Sequence, residues 1–230
     1  MRCQPLRGNE KIKRFKMIDN YNDMSISLWR EIRETLEDMG EASELEVQVA
    51  LISLLSGMEE DEIRNLPLKE YSEMAAKTRF LMQRPNVKAI RPRNLTINGK
   101  KYDLVDDIKD LTTGQYIDYQ TYMQDNEDFK NLAKVLSVFI VPKGKTYNEG
   151  YDVEDVIREL DEHLSIQIAL GVCFFFREKY RSWLNLMQDS FKRKMMRMRR
   201  KEKNPEAVEK MEEIIRMMDS LKDIGVLGDG

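Results

Sequence analysis

The residue types that most often carry catalytic or metal chemistry are scarce in this chain. Its 230 residues include one histidine, His163, and two cysteines, Cys3 and Cys173. A histidine base needs a nucleophile and an orienting acid, and a zinc site needs further ligands at a suitable spacing. Neither pattern accompanies His163, and Cys173 lies in the apolar run 171–176, which is typical of a buried thiol. The sequence therefore predicts no catalytic residue, no metal site and no cofactor.

Phosphate-binding and acid–base motifs point the same way. Residues 143–145, Lys-Gly-Lys, do not match a P-loop, and no GxGxxG is present. The carboxylates are spread along predicted helices, and no pair stands out as a hydrolase site, so a carboxylate-only enzyme is the weakest alternative. We therefore expect a non-enzymatic protein that acts by contacting other molecules.

The sharpest charged feature is the segment 192–203, called the basic stretch below. It holds eight lysines and arginines and one glutamate, a net charge of +7, while the whole chain carries −3, which leaves −10 on the remainder. Three interpretations remain open: docking on an acidic protein, contact with nucleic acid, and a solvated helix end. Close cations repel one another, which disfavours the third. The candidate contact residues here are Lys192, Arg193, Lys194, Arg197, Arg199, Arg200 and Lys201.

Helices are predicted to position these residues. Apolar residues at Met24, Leu28, Ile32, Leu36 and Met39 recur at steps of four and three and so predict one apolar helix face. Further on, Ser43 with Glu46, and Thr112 with Gln115, have the spacing of capping boxes. Ser165 can cap a long helix that runs into the basic stretch. Asn204-Pro205-Glu206 is typical of a new helix start, which predicts either an αα-hairpin or an arm that packs on a neighbouring subunit.

One β-hairpin is predicted at residues 95–104, because apolar residues alternate on both sides of Asn98-Gly99. A type I′ turn requires positive φ at two positions, which Asn and Gly tolerate. A lone hairpin is marginal, so it should pack on helices or pair with a neighbour's strand. Asn98 and Gly99 are further candidate contact residues. After the hairpin, residues 129–141 predict an apolar helix that Pro142 ends.

The predicted fold is mainly α, with helical lobes, one β-hairpin and a long C-terminal helical arm. The longest apolar run is too short to span a membrane, and no secretory signal is apparent at the start. Pro85 and Pro92 bracket a polar linker that suggests a boundary. The predicted divisions are a basic mobile arm at 1–18, an N-terminal lobe at 19–92, a hairpin-containing lobe at 93–190 and a basic, amphipathic extension at 191–230.

Several motifs follow one another between residues 95 and 179. They are TINGKKY at 96–102, DIKDLTTGQYIDYQ at 107–120, an apolar helix that ends in proline at 135–142, GYDVEDVI at 150–157 and SIQIALGVCFFF at 165–176. The upstream segment 50–71 belongs to the same pattern. This series resembles small helical proteins from the tail-assembly region of tailed-phage genomes, especially phages of Bacteroides-type hosts.

The resemblance implies a phage morphogenesis protein and no active-site residue. We expect an oligomeric ring or adaptor subunit of the tail or the head–tail neck, retained in the virion and assembled in the bacterial host cytoplasm. Its partners would be copies of itself and neighbouring phage structural proteins, such as the portal. The extension 191–230 departs from the compact chaperone pattern and suits a subunit that clasps its neighbours. Two alternatives remain: a transient tail-assembly chaperone, and a basic nucleic-acid-binding packaging or regulatory protein.

Overall fold

The computed structural model describes residues 17–83, 85–124 and 130–224. Helices make up 64% of it and a small antiparallel sheet accounts for the strands, which confirms a mainly α fold. The helices are α1 (Ile26–Asp38), α2 (Glu44–Ser56), α3 (Glu60–Arg64), α4 (Leu68–Lys77), α5 (Thr113–Gln124), α6 (Leu132–Ser137), α7 (Val153–His163), α8 (Ile166–Arg199) and α9 (Pro205–Ile224), with 3₁₀ turns at Thr78–Met82 and Ile108–Asp110. The strands are β1 (Leu95–Ile97), β2 (Lys100–Leu104) and β3 (Ile140–Pro142).

Polar caps begin the helices where the sequence predicts them. The Ser43 and Glu46 side chains form a complete capping box at the start of α2, and Thr112 and Gln115 exchange the equivalent hydrogen bonds before α5. The Ser165 hydroxyl accepts a hydrogen bond from the Ile168 N–H at the start of α8. Each cap satisfies backbone donors that the first helical turn leaves unpaired, so it fixes where the helix begins.

The hairpin is present, and it is part of a larger sheet. Asn98 and Gly99 have φ values of 47° and 77°, and Ile97 pairs with Lys100 across the two-residue turn. These values confirm the predicted type I′ turn. The strand order is β1-β2-β3, with both pairs antiparallel. The third strand comes from this chain itself, so the hairpin gains the partner that a lone hairpin lacks.

Strand β3 corrects the prediction of one apolar helix over 129–141. Residues 125–129 lie outside the described residues, and the helix α6 ends at Ser137. The following Val138-Phe139-Ile140-Val141 run is β-branched and aromatic, which suits a pleated and buried strand, and Leu104 pairs with Ile140. Pro142 is tolerated because β3 is an edge strand.

The core gathers around the first half of α8. Phe176 on α8 stacks on Phe139, with ring centroids 3.9 Å apart and planes inclined by 11°. Further residues that are fully buried come from elements on both sides of the predicted lobe boundary: Met24, Ile26, Ile32, Ile52, Leu132, Leu136, Leu160 and Ile166. One core cluster therefore spans both predicted lobes.

The predicted linker between the lobes lies against α8. The Ile90 N–H donates to the Gly171 carbonyl at 3.0 Å, and Gln167 donates to the Asn86 carbonyl at 2.9 Å. A Cβ placed on Gly171 would lie 2.5 Å from Ile90 Cγ1, so the close approach requires glycine at this helix position. This segment therefore attaches the N-terminal helices to α8.

The start of the chain also differs from prediction. Residues 1–16 of the predicted basic arm lie outside the described residues. Met17, at its end, is buried, and the Ile18 N–H donates to the Leu55 carbonyl at 3.0 Å. These last two residues of the predicted arm therefore belong to the folded body.

Candidate partner-binding surface

Helix α8 continues well past the core. Its 34 residues correspond to about 51 Å at 1.5 Å per residue. Among the side chains that the structure describes, the last one on α8 to pack against the core is Trp183. We call residues 184–224, the rest of α8 together with α9, the arm.

The arm is an αα-hairpin. The Asn204 side chain accepts a hydrogen bond from the Glu206 N–H at 3.1 Å, and its carbonyl accepts one from the Val208 N–H. Pro205 is the first residue of α9, as its missing N–H allows. Helix α9 packs back on α8, and Arg199 forms an ion pair with Glu212 across the two helices. The predicted helix start and the predicted hairpin are both confirmed.

The two helices bury little apolar area beyond the body. Met195 is 8% exposed and lies outside the main core cluster. Several other large apolar residues of the arm are exposed, Leu186 at 67% most of all, followed by Met187, Phe191, Met198, Met196 and Ile214. Exposed apolar residues this concentrated are typical of a surface that binds a partner.

The basic stretch occupies the distal part of α8 and the turn after it. Arg193, Lys194, Arg197, Arg200 and Lys201 are exposed and have no ion-pair partner among the described residues. Arg199 is held by Glu212, and Lys192 is partly buried and has a partner. Of the seven predicted contact residues in the basic stretch, five are therefore available to another molecule.

Three of those cations point in one direction. Arg193, Arg197 and Arg200 are spaced by four and three, which places them on one helix face. Leu186 lies seven residues before Arg193, two turns earlier on the same face. Met196 borders this face. The arm therefore presents a stripe that is apolar towards the body and cationic towards its tip.

The turn of the hairpin is a second exposed site. Asn98 and Gly99 are both exposed, and the adjoining Lys100 Nζ lies 2.7 Å from Glu159 Oε2 on α7. The hydrogen bond with Lys100 lowers the pKa of Glu159. The turn is thus anchored to α7, whereas the basic stretch packs with α9, so the structure does not join the two predicted contact sites.

A groove on α1 was missed by the sequence analysis. It has a volume of about 310 Å³ and is lined by Trp29, Arg33, Leu36 and Glu37. Leu36 belongs to the predicted apolar face of α1, and it is 40% exposed. The end of this apolar stripe is therefore left uncovered. The signal available in the sequence was an apolar residue, Leu36, that lies close to the end of a predicted helix and beside acidic residues.

A second groove lies where the arm leaves the body. It has a volume of about 390 Å³, and its lining includes Phe175, Trp183 and Leu186 from α8. Asp107, just before the 3₁₀ turn Ile108–Asp110, also lines it. Lys179 Nζ lies 3.8 Å from Asp107 Oδ2 at its edge. The apolar surface of the arm therefore continues onto the body.

The residues that could have carried chemistry are isolated from one another. His163 ends α7, is largely exposed and has Glu162 at 3.7 Å. Cys173 is partly buried beside the core, and burial raises the pKa of its thiol to about 11. Within residues 17–83, 85–124 and 130–224, no three or more His, Cys, Asp or Glu side chains are placed to hold a metal ion.

None of the described helices is both long and apolar enough to cross a lipid bilayer. Helix α8 has the length but carries charged residues along its second half.

Comparison of the chain with protein-family models, with curated proteins and with solved structures finds no match. The resemblance to phage tail-assembly proteins therefore remains a hypothesis that rests on the motifs alone.

Proposed function

We propose that this protein is a non-enzymatic assembly subunit that binds other protein molecules through its arm. The observation that carries the proposal is the α8–α9 hairpin, which extends beyond the core and exposes both apolar and cationic side chains. An arm that only stabilised its own chain would bury its apolar residues. Leu186 and Phe191 remain exposed instead, at 67% and 47%.

The setting we propose is the tail or the head–tail neck of a bacteriophage. Support comes from the motif series at 50–71 and 95–179 and its resemblance to phage tail-assembly proteins. A permanent ring or adaptor needs contacts on two unlike surfaces of each subunit. The basic stretch and the acidic remainder of the chain supply two such unlike surfaces.

Mass spectrometry of purified virions tests this proposal. A ring or adaptor subunit is expected in the particle at a constant ratio to the portal or tail proteins. Its arm variant, with Arg193→Glu, Arg197→Glu and Arg200→Glu combined, is expected to be depleted from particles while it accumulates normally in infected cells. A protein abundant in the lysate and missing from virions would instead be a transient chaperone.

Nucleic-acid binding is the second candidate, because Arg193, Arg197 and Arg200 form a cationic face with no ion-pair partner among the described residues. It predicts DNA affinity that falls steeply as salt rises, since cations that neutralise phosphates release counterions. The same triple variant would abolish that affinity. Retention of the wild-type protein on DNA that is no greater than that of the triple variant removes this candidate.

A further inference from the structure

The face of α8 that packs in the core stays largely apolar after the body ends. Its core positions recur at steps of three and four and are Ala169, Val172, Phe176, Tyr180 and Trp183. The same steps lead on to Met187, Phe191, Lys194 and Met198. The three apolar members of this second group are 53%, 47% and 45% exposed. A stripe that the body covers along the first half of α8 is therefore left uncovered along the arm.

The contact between α8 and α9 has two unlike edges. Met195 is the buried residue of α8 in the arm. Phe191, four residues before it, and Met198, three residues after it, lie together on one side of Met195. Arg199, four residues after Met195, lies on the other side, where Glu212 of α9 pairs with it. One edge of the contact is therefore charged and the other is apolar.

Helix α9 supplies Ile214 to the apolar edge. Ile214 follows Glu212 by two residues, a rotation of about 200°, so the two lie on opposite sides of α9. Met211 and Ile215 lie between them and are partly buried, and Ile214 is 38% exposed. Together, four exposed apolar residues line this edge, and we call them the arm groove: Met187, Phe191, Met198 and Ile214.

Two lysines flank the arm groove, one on each helix. Lys194 and Lys210 are exposed, and they directly precede Met195 and Met211. One residue back is a rotation of about 100°, which turns each lysine towards the apolar edge. The described carboxylates of the arm's helices lie elsewhere. Those towards the charged edge are Asp189 and Glu212, and those on the part of α9 turned away from α8 are Glu206, Glu209 and Glu213. The rim of the arm groove is therefore cationic.

The arm already holds an acidic helix against its basic one. Residues 184–199 carry five lysines and arginines and one aspartate, a net charge of +4. Helix α9, Pro205–Ile224, carries six carboxylates and three lysines and arginines, a net charge of −3. It packs on α8, with Arg199 and Glu212 as an ion pair. An amphipathic helix with acidic flanks is therefore a ligand that this part of α8 accepts on one side.

From these observations we infer that the arm groove binds a helix of a partner protein, with apolar residues along one face of that helix and carboxylates on both sides of this face. The inference rests on the proposed function and names the chemistry of the partner. The groove between two helices accepts the side chains of a third. Met187 and Met198 are about 17 Å apart along α8, so the contact covers about three turns of the partner helix. Its carboxylates face Lys194 and Lys210.

The arm groove is separate from the cationic face of Arg193, Arg197 and Arg200. Arg193 and Arg197 are each two residues from Met195, which places them about 160° around α8 from it and away from α9. Substitutions in the arm groove therefore test this inference, whereas the triple variant of the cationic face tests the proposed function.

Two synthetic peptides and the full-length chain test the inference. Both peptides have about 21 residues with leucine at heptad positions a and d. The acidic peptide has glutamate at positions e and g, and the basic peptide has lysine there, so like charges keep each from pairing with itself. Fluorescence anisotropy of the labelled peptides measures their affinity for the protein. The wild-type protein is expected to bind the acidic peptide at least about tenfold more tightly than the basic one.

Three variants locate the binding surface. The groove variant, Phe191→Ser with Met198→Ser, should lose about tenfold or more in affinity for the acidic peptide, because it removes apolar anchors. The matched control, Leu186→Ser with Met196→Ser, changes exposed apolar residues on other faces of α8 and should bind as the wild type does. The rim variant, Lys194→Glu with Lys210→Glu, should prefer the basic peptide. All six positions are exposed, so each protein should fold, which thermal melting verifies.

Three outcomes would overturn the inference. The first is a wild-type protein that binds neither peptide or both equally, and the second is a control that loses as much affinity as the groove variant. The third is binding to vesicles of phosphatidylcholine and phosphatidylglycerol but to neither peptide, which would assign the arm groove to a membrane surface. The proposed function is decided separately, by the presence of the protein in purified virions, so each can fail without the other.

Discussion

Arg30 and Asp161 join α1 to α7 through two hydrogen bonds, at 3.0 and 2.6 Å. The hydrogen bond with Asp161 raises the pKa of Arg30. We expect Arg30→Ala to lower the free energy of unfolding by about 1 kcal/mol, since the pair is partly exposed and its worth is reduced by solvent. Arg30→Lys should recover little of this, because an ammonium cannot make the two-pronged contact.

Urea unfolding provides the measurement for Arg30. The matched control is Arg64→Ala, which removes an exposed ion pair with Glu60 four residues away on α3. That change should cost less than Arg30→Ala, because solvent screens an exposed pair. Equal losses for Arg30→Ala and Arg64→Ala would show that the bridge between α1 and α7 contributes no more than a surface pair.

Cys173 gives a prediction about pH. Burial raises the pKa of its thiol from 9.0 to about 11, so the folded state disfavours the thiolate. The resulting stability is complete below the unfolded pKa near 9 and is lost as pH rises towards 11. At neutral pH the native thiolate fraction should be about 100-fold below that of the unfolded chain, and the thiolate is the reactive form.

Alkylation kinetics check this prediction in a Cys3→Ser background, where Cys173 is the remaining thiol. Labelling at neutral pH should be at least about 100-fold slower in native buffer than in urea. Equal rates in the two conditions would mean that burial does not protect the thiol.

At the scale of elements, the contact between Gly171 and the segment 85–94 is the tightest constraint. An added Cβ would lie 2.5 Å from Ile90 Cγ1 and 3.1 Å from the Lys88 carbonyl oxygen. We expect Gly171→Ala to destabilise the protein by about 1–3 kcal/mol, as overpacking of a core contact does. Thermal unfolding of the purified variant measures the loss.

Gly114, a second helical glycine, is the matched control for Gly171. Its added Cβ would approach nothing closer than 3.9 Å, the Thr112 hydroxyl. Gly114→Ala should therefore leave stability unchanged or raise it by up to about 1 kcal/mol through helix propensity. If Gly171→Ala is as stable as Gly114→Ala, the segment does not lie against α8.

Local chemistry explains which elements the sequence predicts. Ser43, Thr112 and Ser165 act on backbone groups within their own helix turn, and Asn98-Gly99 determines its own φ values, so short-range patterns suffice. Strand β3 depends on Leu104, which lies 36 positions before Ile140 in the chain. The β-branched and aromatic run 138–141 is compatible with a strand, but a short apolar run is ambiguous between strand and helix until its long-range partner is known.

The features of the candidate site also differ in whether the sequence alone predicts them. The basic stretch is visible in composition alone, and its helix follows from the Ser165 cap. The α1 groove is not visible, because Leu36 fits the apolar stripe and only tertiary packing decides which end of the stripe stays uncovered. The same reason explains why Arg199 was predicted as a partner contact although Glu212 on α9 pairs with it.

At the scale of the whole molecule, body and arm should differ in local stability. Helix α8 packs in the core as far as Phe176, whereas most of its described side chains beyond Trp183 are exposed, with Met195 as an exception. Local opening is easier where few apolar contacts are broken. Amide hydrogen exchange is therefore expected to be slow at 168–176 and faster at 186–199 in the monomer.

Hydrogen exchange of the associated protein then supplies a second check. Binding of a partner by the arm should slow exchange at 186–199, whereas the triple variant Arg193→Glu, Arg197→Glu and Arg200→Glu should keep the fast rates at every concentration. Uniform protection along α8 in the monomer would contradict the division into body and arm.

Helix α8 is continuous from the core to the tip of the arm, and residues 172–203 include neither glycine nor proline. Kinks sharper than about 20° usually need such residues, so the helix has no sequence hinge. Phe176 is fixed in the core. If the arm binds a neighbouring subunit, as proposed, α8 joins the core of one subunit to the surface of the next as a single rigid element. The tilt between successive subunits, and hence the curvature and copy number of any closed assembly, would then be set by the direction in which this single helix leaves the core.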